Sequence, residues 1–189
     1  MALILASSSP RRAELLRNAG IEFTVEPSNI PEEPQPGEDP VSMVKRLALD
    51  KAREVFRRNP EKFVLSADTV VVVDHEMLGK PRNPTDAARM LRLFSGRTHE
   101  VITGVCLAGP EMGEDVRAER TRVTLDQVDE DEIQAYVATD DPMDKAGGYG
   151  IQGIASRWIS KIEGNYFTVV GLPIALVWKM LREHGAVVR

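Results

Sequence analysis

The sequence has very little cysteine, no long apolar run and no excess of positive charge, and each absence narrows the possible functions. Cys106 is the single cysteine, which excludes an internal disulfide and a cysteine-rich metal site and fits a reducing cytoplasm. No apolar run approaches the roughly 20 residues of a membrane-spanning helix. The net charge of −5 argues against general binding to nucleic acid or an anionic membrane. We therefore expect any anion site to be a local cluster of positive charge.

Metal-ligand and targeting patterns are also missing. His75, His99 and His184 show no metal-ligand spacing, and we interpret them as surface or structural residues. The N-terminus has no basic leader before its short apolar stretch, which does not fit a signal peptide and predicts a cytoplasmic protein. Cys106 lies in the apolar pattern VITGVCLAG, and we interpret it as a core residue.

Strand and helix signals alternate along the chain, and this alternation predicts an α/β fold. Helix signals cover residues 10–20, 40–58, 84–95, 129–138 and 173–184. Strand signals cover residues 3–7, 21–27, 62–74, 99–109, 116–128, 155–164 and 166–171. The two strands around the turn AGPEMGED are expected to form an antiparallel hairpin, so the sheet is mixed. The proline-rich and acidic stretch 28–39 is interpreted as a loop.

The stretch SSSPRR, residues 7–12, departs from what a helix start favours. Ser9 is a good N-cap, and Pro10 suits the first helical position. Arg11 and Arg12, however, lie at the positive end of the helix dipole, where each cation is disfavoured by roughly 0.3–1 kcal/mol. Such an arrangement becomes favourable when an anion binds at the helix start, so the stretch is a candidate anion site.

Two charged residues interrupt otherwise apolar patterns. Asp68 lies within VLSADTVVVV (64–73), a run typical of a strand buried on both faces. It is either a structural hydrogen-bonding residue or an oriented carboxylate suited to a metal or to a base. Lys51 falls on the apolar face of the 40–58 helix, where it either extends along the core edge or points into a cleft. The residues alone leave both alternatives open.

Three further side chains are candidates on weaker grounds. Lys80 lies between a glycine and a proline in GKP, which restrict its direction, although many turns carry a lysine. The glycine-rich segment DKAGGYGIQG, residues 144–153, is either a flexible connection or a loop that approaches a ligand closely. Within it, the amide of Gln152 can both donate and accept hydrogen bonds. Arg97 follows a helix end, where the dipole favours a cation in any case, so its function stays open.

In this order, the motifs SxSPRR, LALDKA, SADTVV, GKP, SGRTHEVITG, DKAGGYGIQG and VVGLP resemble the Maf family of nucleoside triphosphate pyrophosphatases over nearly the whole chain. The resemblance implies an elongated mixed β-sheet with flanking helices and two lobes around a central cleft, similar to the ITPase-like fold. Residues 1–189 would then form one functional unit. It also implies hydrolysis of a nucleoside triphosphate to the monophosphate and pyrophosphate, with Mg²⁺ or Mn²⁺, by a cytoplasmic homodimer.

The resemblance assigns roles to particular residues. Those implied for substrate binding are Ser7, Ser9, Arg11, Arg12, Thr69, Arg97 and Gln152. Those implied for catalysis are Asp68, Lys51, Lys80 and Glu32, of which Asp68 and Glu32 would also hold the metal. Glu32 matches an acidic motif in which Pro31 replaces the usual Asp, so Glu33 is the alternative ligand. Thr168 stands where the family has Asn, and we expect little consequence for function.

Gln152 also bears on the choice of substrate. The branch with Gln in GIQG resembles enzymes that act on dTTP and UTP, whereas a branch with an acidic residue is associated with 7-methyl-GTP. Uracil and thymine present an O4 acceptor beside an N3–H donor, and one amide can meet both. CTP is not excluded, because the amide can flip. The alternatives are a 7-methyl-GTP-type pyrophosphatase and a non-catalytic nucleotide-binding regulator of cell division, and the acidic pair with two lysines favours the enzyme.

Overall fold

The computed structural model describes residues 2–186, and its elements alternate as expected. The helices are α1 (Pro10–Asn18), α2 (Pro40–Phe56), α3 (Pro84–Phe94), α4 (Glu130–Val137), α5 (Tyr166–Val170) and α6 (Ile174–Glu183). The strands are β1 (Leu3–Leu5), β2 (Thr24–Val25), β3 (Phe63–Val73), β4 (Glu76–Leu78), β5 (Thr98–Gly109), β6 (Gly113–Leu125) and β7 (Ile159–Glu163). Within residues 2–186, no helix has both the length and the apolar character needed to cross a membrane.

Two helices begin where their capping residues predict. The Asp39 carboxylate accepts hydrogen bonds from the backbone N–H groups of Val41 and Ser42, and α2 starts at Pro40. The Asn83 side chain accepts from the backbone N–H of Asp86, and α3 starts at Pro84. In both cases the cap satisfies amides that have no partner within the helix, so these boundaries are local properties of the sequence.

The strands of the described chain form one seven-stranded mixed sheet in the order β2-β1-β3-β5-β6-β7, with β4 paired to β3. β1 pairs in parallel with both β2 and β3, and Leu5 lies opposite Leu65. β3 with β4 and β6 with β7 are antiparallel. β5 and β6 are neighbours joined by residues 110–112, and a connection this short makes the hairpin that the turn signal predicts.

The fold divides into two compact units, each with its own core. The first unit holds the residues up to Asp68, Thr103–Glu119 and the residues from Gly171 on, and the second holds Thr69–Ile102 and Arg120–Val170. Buried core residues of the first unit include Ile4, Ala6, Ala48, Ala52, Val55, Val64, Cys106 and Ala108. The core of the second unit includes Leu91, Phe94, Val123, Ile133, Tyr136, Tyr149 and Trp158. Cys106 is fully buried, which raises the pKa of its thiol to about 12 and confirms it as a core residue.

The strand predicted over residues 166–171 is wrong, because the segment forms the short helix α5. Its β-branched and aromatic residues favour a strand. The side chain of Asn165 instead accepts a hydrogen bond from the backbone N–H of Phe167. Its backbone carbonyl accepts one from the N–H of Thr168. This capping starts a helical turn, so a local hydrogen-bonding residue outweighs the strand propensity of the residues after it.

Three other predicted strands are shorter than expected, among them the segment 3–7, of which only Leu3–Leu5 is a strand. The segment 155–164 begins with a 3₁₀ turn, Ile154–Trp158, and only Ile159–Glu163 is a strand. Ala155 and Trp158 are three residues apart, so the 3₁₀ turn places both on one face, and both are buried in the second unit's core. Of the segment 21–27, only Thr24–Val25 is a strand, because its partner β1 is itself three residues long.

Candidate active site

In the first unit, Lys51 lies on the face of α2 that packs against β3. Ala48, one turn earlier, is fully buried, and its carbonyl accepts a hydrogen bond from the hydroxyl of Ser66 at 2.5 Å. Side chains two residues apart on a strand point to the same face, so Asp68 follows Ser66 toward the helix. Residues three apart on a helix also share a face, so Lys51 follows Ala48. Lys51 and Asp68 therefore face each other next to the contact between Ala48 and Ser66.

The ammonium group of Lys51 is shared by two carboxylates. Its Nζ atom lies 2.7 Å from Oδ1 of Asp68 and 2.6 Å from Oε1 of Glu32. Lys51 and Asp68 are buried, whereas the Glu32 side chain keeps 48% of its surface exposed. Lys51 therefore does not extend along the core edge to reach solvent. It holds one buried and one exposed carboxylate at the same point.

The pair of carboxylates fits a hard divalent cation. Mg²⁺ and Mn²⁺ prefer oxygen ligands, and Mg²⁺ is usually held by one or two carboxylates together with substrate phosphates and water. Among residues 2–186, no group of three or more His, Cys, Asp or Glu side chains forms a complete metal cage. The oxygens of Glu32 and Asp68 would accordingly hold a cation that completes its coordination with a phosphorylated substrate.

The position next to Glu32 also bears on the choice between the two glutamates. The Glu32 carboxylate contacts Lys51, whereas Glu33 contributes its backbone carbonyl, which accepts from Nη2 of Arg46 at 3.1 Å. Because a metal ligand has to stand beside Asp68, this arrangement favours Glu32 over Glu33.

Arg12 connects three segments of the first unit through its guanidinium. Its Nε donates to the Gly171 carbonyl at 2.8 Å, and its Nη1 donates to the Ala67 carbonyl at 2.7 Å. Nη1 also lies 3.3 Å from the Ser7 hydroxyl. The sequence predicts a phosphate contact for Arg12, and in the structure its guanidinium also donates to backbone carbonyls of the protein. Arg12 thereby fixes the start of α1 beside the residue that precedes Asp68.

The charges around Arg12 show that the candidate residues of the first unit share one electrostatic environment. Burial lowers the pKa of Arg12, and the negative charges of Asp68 and Glu32 act in the opposite direction. The neighbouring cation Arg11 lowers the pKa of Arg12 further. An arginine remains protonated at neutral pH despite such shifts. The two arginines thus repel each other at the helix start, and a bound anion would relieve that repulsion.

Ser9 lies at the N-cap position of α1 but makes no side-chain capping hydrogen bond to any described residue. The Ser7 hydroxyl instead accepts the backbone N–H of Ser9 at 3.2 Å. Ser7 is buried and Ser9 is half-buried. Ser9 is therefore the N-cap residue of α1, as predicted, but its side chain makes no capping bond within the described residues.

In the second unit, the GKP turn and the glycine-rich segment are neighbours. The backbone N–H of Gly147 donates to the Gly79 carbonyl at 2.9 Å. A Cβ atom on Gly148 would lie 3.1 Å from Cγ of Pro81. Lys80, between Gly79 and Pro81, is exposed. The structure therefore places the predicted lysine beside the segment that carries Gln152.

The glycine-rich segment is packed rather than flexible. Gly147 has a φ of 72°, and a Cβ there would approach Val71 at 3.0 Å and Phe94 at 3.2 Å. Next to it, the Tyr149 hydroxyl lies 2.6 Å from Nε2 of His99. The glycine therefore serves core packing and a left-handed turn. Gln152 is exposed three residues beyond the buried Tyr149.

The remaining predicted residues also lie in the second unit. Arg97 pairs with Asp74, with Nη2 2.5 Å from Oδ2, and its side chain is 41% exposed. Thr69 directly follows Asp68 on β3 and is half-buried. The structure thus groups Ser7, Arg12, Glu32, Lys51 and Asp68 in the first unit and places Lys80 near the Gln152 segment in the second. The substrate contacts predicted for these residues stay predictions.

A family comparison agrees with this arrangement of motifs. Residues 2–184 match the model of the family described as Maf-like protein. The chain belongs to this family.

The sequences of two relatives align with nearly all of this Maf-like chain. A protein of Koribacter versatilis is 57% identical over 185 residues, which is 98% of this chain and 95% of the relative. A protein of Geobacter sp. strain M21 is 50% identical over 97% of this chain and 96% of its own length. Both are named dTTP/UTP pyrophosphatase.

Among solved structures, the Staphylococcus aureus Ham1 protein matches with a TM-score of 0.56 and 12% identity, over 97% of this chain and 100% of that one. This likeness confirms the ITPase-like fold class.

Three contributors to the Maf-like site were not anticipated. Ala67 and Gly171 act through backbone carbonyls, which no side-chain pattern reveals, although Gly171 lies in the motif VVGLP. Arg46 contacts the loop of Glu32, and its position in α2 resembles that of any exposed helical arginine. Only the folded chain shows what these three residues touch.

Proposed function

We propose that this chain is a nucleoside triphosphate pyrophosphatase that hydrolyses dTTP and UTP to the monophosphate and pyrophosphate with a divalent cation. The observation that carries the proposal is the pair of carboxylates, Glu32 and Asp68, on the ammonium of Lys51, next to the two arginines of α1. The activity named for the relatives from Koribacter versatilis and Geobacter supports the choice of substrates. Mixed charges of this kind suit a polyphosphate, a metal and a base together.

The cationic groups neutralise the triphosphate. Arg11 lies in the first turn of α1, where the helix dipole also favours an anion. Lys51 and Lys80 supply two further positive charges, and Ser7 and Ser9 supply hydroxyl donors. Arg12 keeps these groups in place through Ala67 and Gly171. Because the contacts are charge-assisted, they are stronger than neutral hydrogen bonds.

The reaction is attack of water on the α-phosphorus. The water oxygen forms a bond to this phosphorus, the anhydride bond to the β-phosphate breaks, and pyrophosphate leaves with the bonding electron pair. Asp68 accepts the proton that the attacking water loses. Lys51 keeps the Asp68 carboxylate oriented through its contact of 2.7 Å. Positioning and charge stabilisation carry the rate of such a transfer, so no serine or cysteine nucleophile is needed.

The carboxylates of Glu32 and Asp68 would hold the divalent cation. When bound, Mg²⁺ or Mn²⁺ neutralises charge on phosphate oxygens and activates water for attack. The Glu32 side chain is 48% exposed, so an incoming nucleotide can reach its carboxylate, while Asp68 is buried. The two residues would thus combine one buried ligand and one accessible ligand.

Gln152 recognises the pyrimidine base through hydrogen bonds. Its amide N–H would donate to O4 of uracil or thymine, and its amide oxygen would accept from N3–H. The packed segment around Gly147 and Tyr149 gives Gln152 a fixed attachment. Because candidate residues of both compact units are assigned to one reaction, we propose that the chain works as a single functional unit. A cytoplasmic homodimer completes the proposal.

A pyrophosphate-release assay tests this function. The purified chain is incubated with dTTP, UTP, CTP, GTP or 7-methyl-GTP, with and without Mg²⁺, and the products are resolved by ion-exchange chromatography. We expect dTTP and UTP to yield monophosphate and pyrophosphate only when Mg²⁺ is present. Preference for 7-methyl-GTP would assign the chain to another branch. Tight nucleotide binding without any cleavage would identify a non-catalytic sensor instead.

A further inference from the structure

Glu32 needs an external support, because its own segment has neither helix nor strand. Residues 26–39 form a loop with a single turn at its far end, and the Glu32 side chain is 48% exposed. Fixing an exposed, flexible glutamate costs conformational free energy. Its carboxylate nevertheless lies 2.6 Å from the buried Lys51 ammonium. The loop must therefore be held by contacts outside Glu32.

Arg46 of α2 holds this loop at two points. Its Nε and Nη2 atoms each lie 2.7 Å from an oxygen of the Glu38 carboxylate, Oε1 and Oε2 respectively. Nη2 also donates to the Glu33 carbonyl at 3.1 Å. Such a two-pronged contact uses the planar fork of the guanidinium, which lysine cannot reproduce. The second point of attachment is the residue next to Glu32.

Glu38, which Arg46 contacts, is itself part of a hydrogen-bonded turn. Oε2 of Glu38 accepts the backbone N–H of Gln35 at 3.1 Å, and the backbone N–H of Glu38 donates to the Gln35 carbonyl at 3.1 Å. Asp50, one turn after Arg46, lies 3.8 Å from its Nη1 and adds a weaker attraction. Arg46 thus joins the two sides of the loop to one helix.

The same helix carries Lys51, so the loop and the ammonium are fixed to one rigid body. Lys51 follows Arg46 by five residues, which is roughly 7.5 Å along the helix axis. The start of α2 is secured by the Asp39 cap. Because α2 is rigid and carries both Arg46, which holds the loop, and Lys51, it sets the distance between Glu32 and Lys51.

We propose that Arg46 is the positioning residue for Glu32: by clamping Glu38 and the Glu33 carbonyl, it holds the Glu32 carboxylate beside Lys51 and Asp68. The role in catalysis rests on the proposed function, which assigns Glu32 and Asp68 to the divalent cation. The effect on the loop does not depend on that function. Arg46 itself touches no reacting group.

The first test is hydrogen exchange of residues 26–39 in the Arg46→Lys variant. Lysine keeps the positive charge but cannot make the two parallel hydrogen bonds of the guanidinium to Glu38. We therefore expect the protected amides of Gln35 and Glu38 to exchange about tenfold faster. Arg53→Lys is the matched control, because Arg53 lies on the same helix and pairs with Glu114 at 2.8 Å, away from the loop. The control should leave loop exchange unchanged. Equal exchange in wild type and Arg46→Lys would overturn the proposal.

The second test asks whether Arg46 acts through Glu32. We expect Arg46→Lys to lower kcat for dTTP by about tenfold and to weaken Mn²⁺ binding in the presence of α,β-imido-dUTP, measured by electron paramagnetic resonance. In a Glu32→Gln background the same change should cause no further loss. An undiminished loss in that background would refute positioning through Glu32. If the wild type cleaves no nucleotide, the proposed function fails, while loop exchange still decides whether Arg46 holds the loop.

Discussion

Lys51 illustrates how a single buried charge depends on its partners. It is 5% exposed and meets carboxylates from residues 32 and 68, which are far apart in the sequence. Removing one member of a buried ion pair generally costs about 3–5 kcal/mol, because the other charge is left uncompensated. The pair is therefore weak support for stability but a strong constraint on geometry. Such a constraint suits carboxylates that have to be presented in one orientation.

At the residue scale we predict that Asp68→Asn abolishes most turnover without unfolding the chain. Lys51 stays paired with Glu32, and the amide keeps the shape of Asp68 and still accepts from Lys51, but it loses the charge needed for a cation and a base. We expect kcat for dTTP to fall by a factor on the order of 10³ or more, with nucleotide binding retained. Steady-state kinetics and calorimetric titration measure the two effects.

Asp115→Asn is the control for this prediction. Asp115 is also a partly buried, ion-paired aspartate of the first unit, with Arg117 at 2.6 Å and His184 at 2.9 Å. It lies outside the candidate site, so its variant should keep wild-type kcat. Near-wild-type turnover in Asp68→Asn would remove Asp68 from the catalytic step.

At the scale of elements, the contact between β5 and α2 depends on a glycine. A Cβ atom on Gly104 would lie 2.4 Å from the Val44 carbonyl oxygen and 2.9 Å from the backbone nitrogen of Lys45. Backbone atoms of a helix cannot rotate away as a side chain can. The close approach therefore fixes the position of α2, and with it that of Lys51 and Arg46.

We predict that Gly104→Ala lowers the free energy of unfolding by about 1–3 kcal/mol, since the added methyl group pushes the helix from the strand. Activity should fall as well, because α2 carries Lys51. Calorimetry and steady-state kinetics would show both changes. At Gly79 an added Cβ meets nothing within 4 Å, so Gly79→Ala should leave the melting temperature nearly unchanged. Equal melting temperatures for the two variants would contradict the argument.

The elements also show where prediction from sequence succeeds and where it fails. The starts of α2 and α3 follow from Asp39 and Asn83, whose caps act on amides two or three residues away. The helix at Tyr166–Val170 has a similar signal in Asn165, but its residues favour a strand. Local signals therefore give reliable boundaries when they agree with propensity and misleading ones when they conflict.

At the scale of the whole molecule, His99 links stability to pH. Burial lowers the pKa of His99 from 6.5 to about 4, so the folded chain keeps it neutral over a range in which the unfolded chain protonates it. Protonation of the unfolded chain has little effect on stability well above pH 6.5 and destabilises the fold progressively as the pH falls toward 4. The loss amounts to at most about 3.5 kcal/mol, from about 2.5 pH units at about 1.4 kcal/mol each.

We therefore predict that the wild-type chain loses stability between pH 6.5 and 4 more steeply than His99→Gln. Glutamine is neutral throughout this range and can still bond to Tyr149, so the variant removes the titration while keeping a polar partner. Chemical denaturation at closely spaced pH values measures the difference. Parallel pH profiles for the two proteins would show that His99 does not titrate in this way.

The sequence by itself determined the α/β class, the capped helix starts and the set of motifs that marks the family. These properties are encoded locally, in periodicity, capping residues and the order of motifs. Gln152 and Lys80 could be singled out in the same way, and the family resemblance added Glu32, with Glu33 as the alternative. Their partners could not.

Only the tertiary structure decided which groups meet. It placed Glu32 and Asp68 on one ammonium, turned Arg12 toward the carbonyls of Ala67 and Gly171, and set Arg46 across the acidic loop. The physical reason is that these contacts join segments separated by up to 159 residues, often through backbone atoms that every residue possesses. No local pattern specifies such a partner, because the partner is selected by the packing of the helices on the sheet.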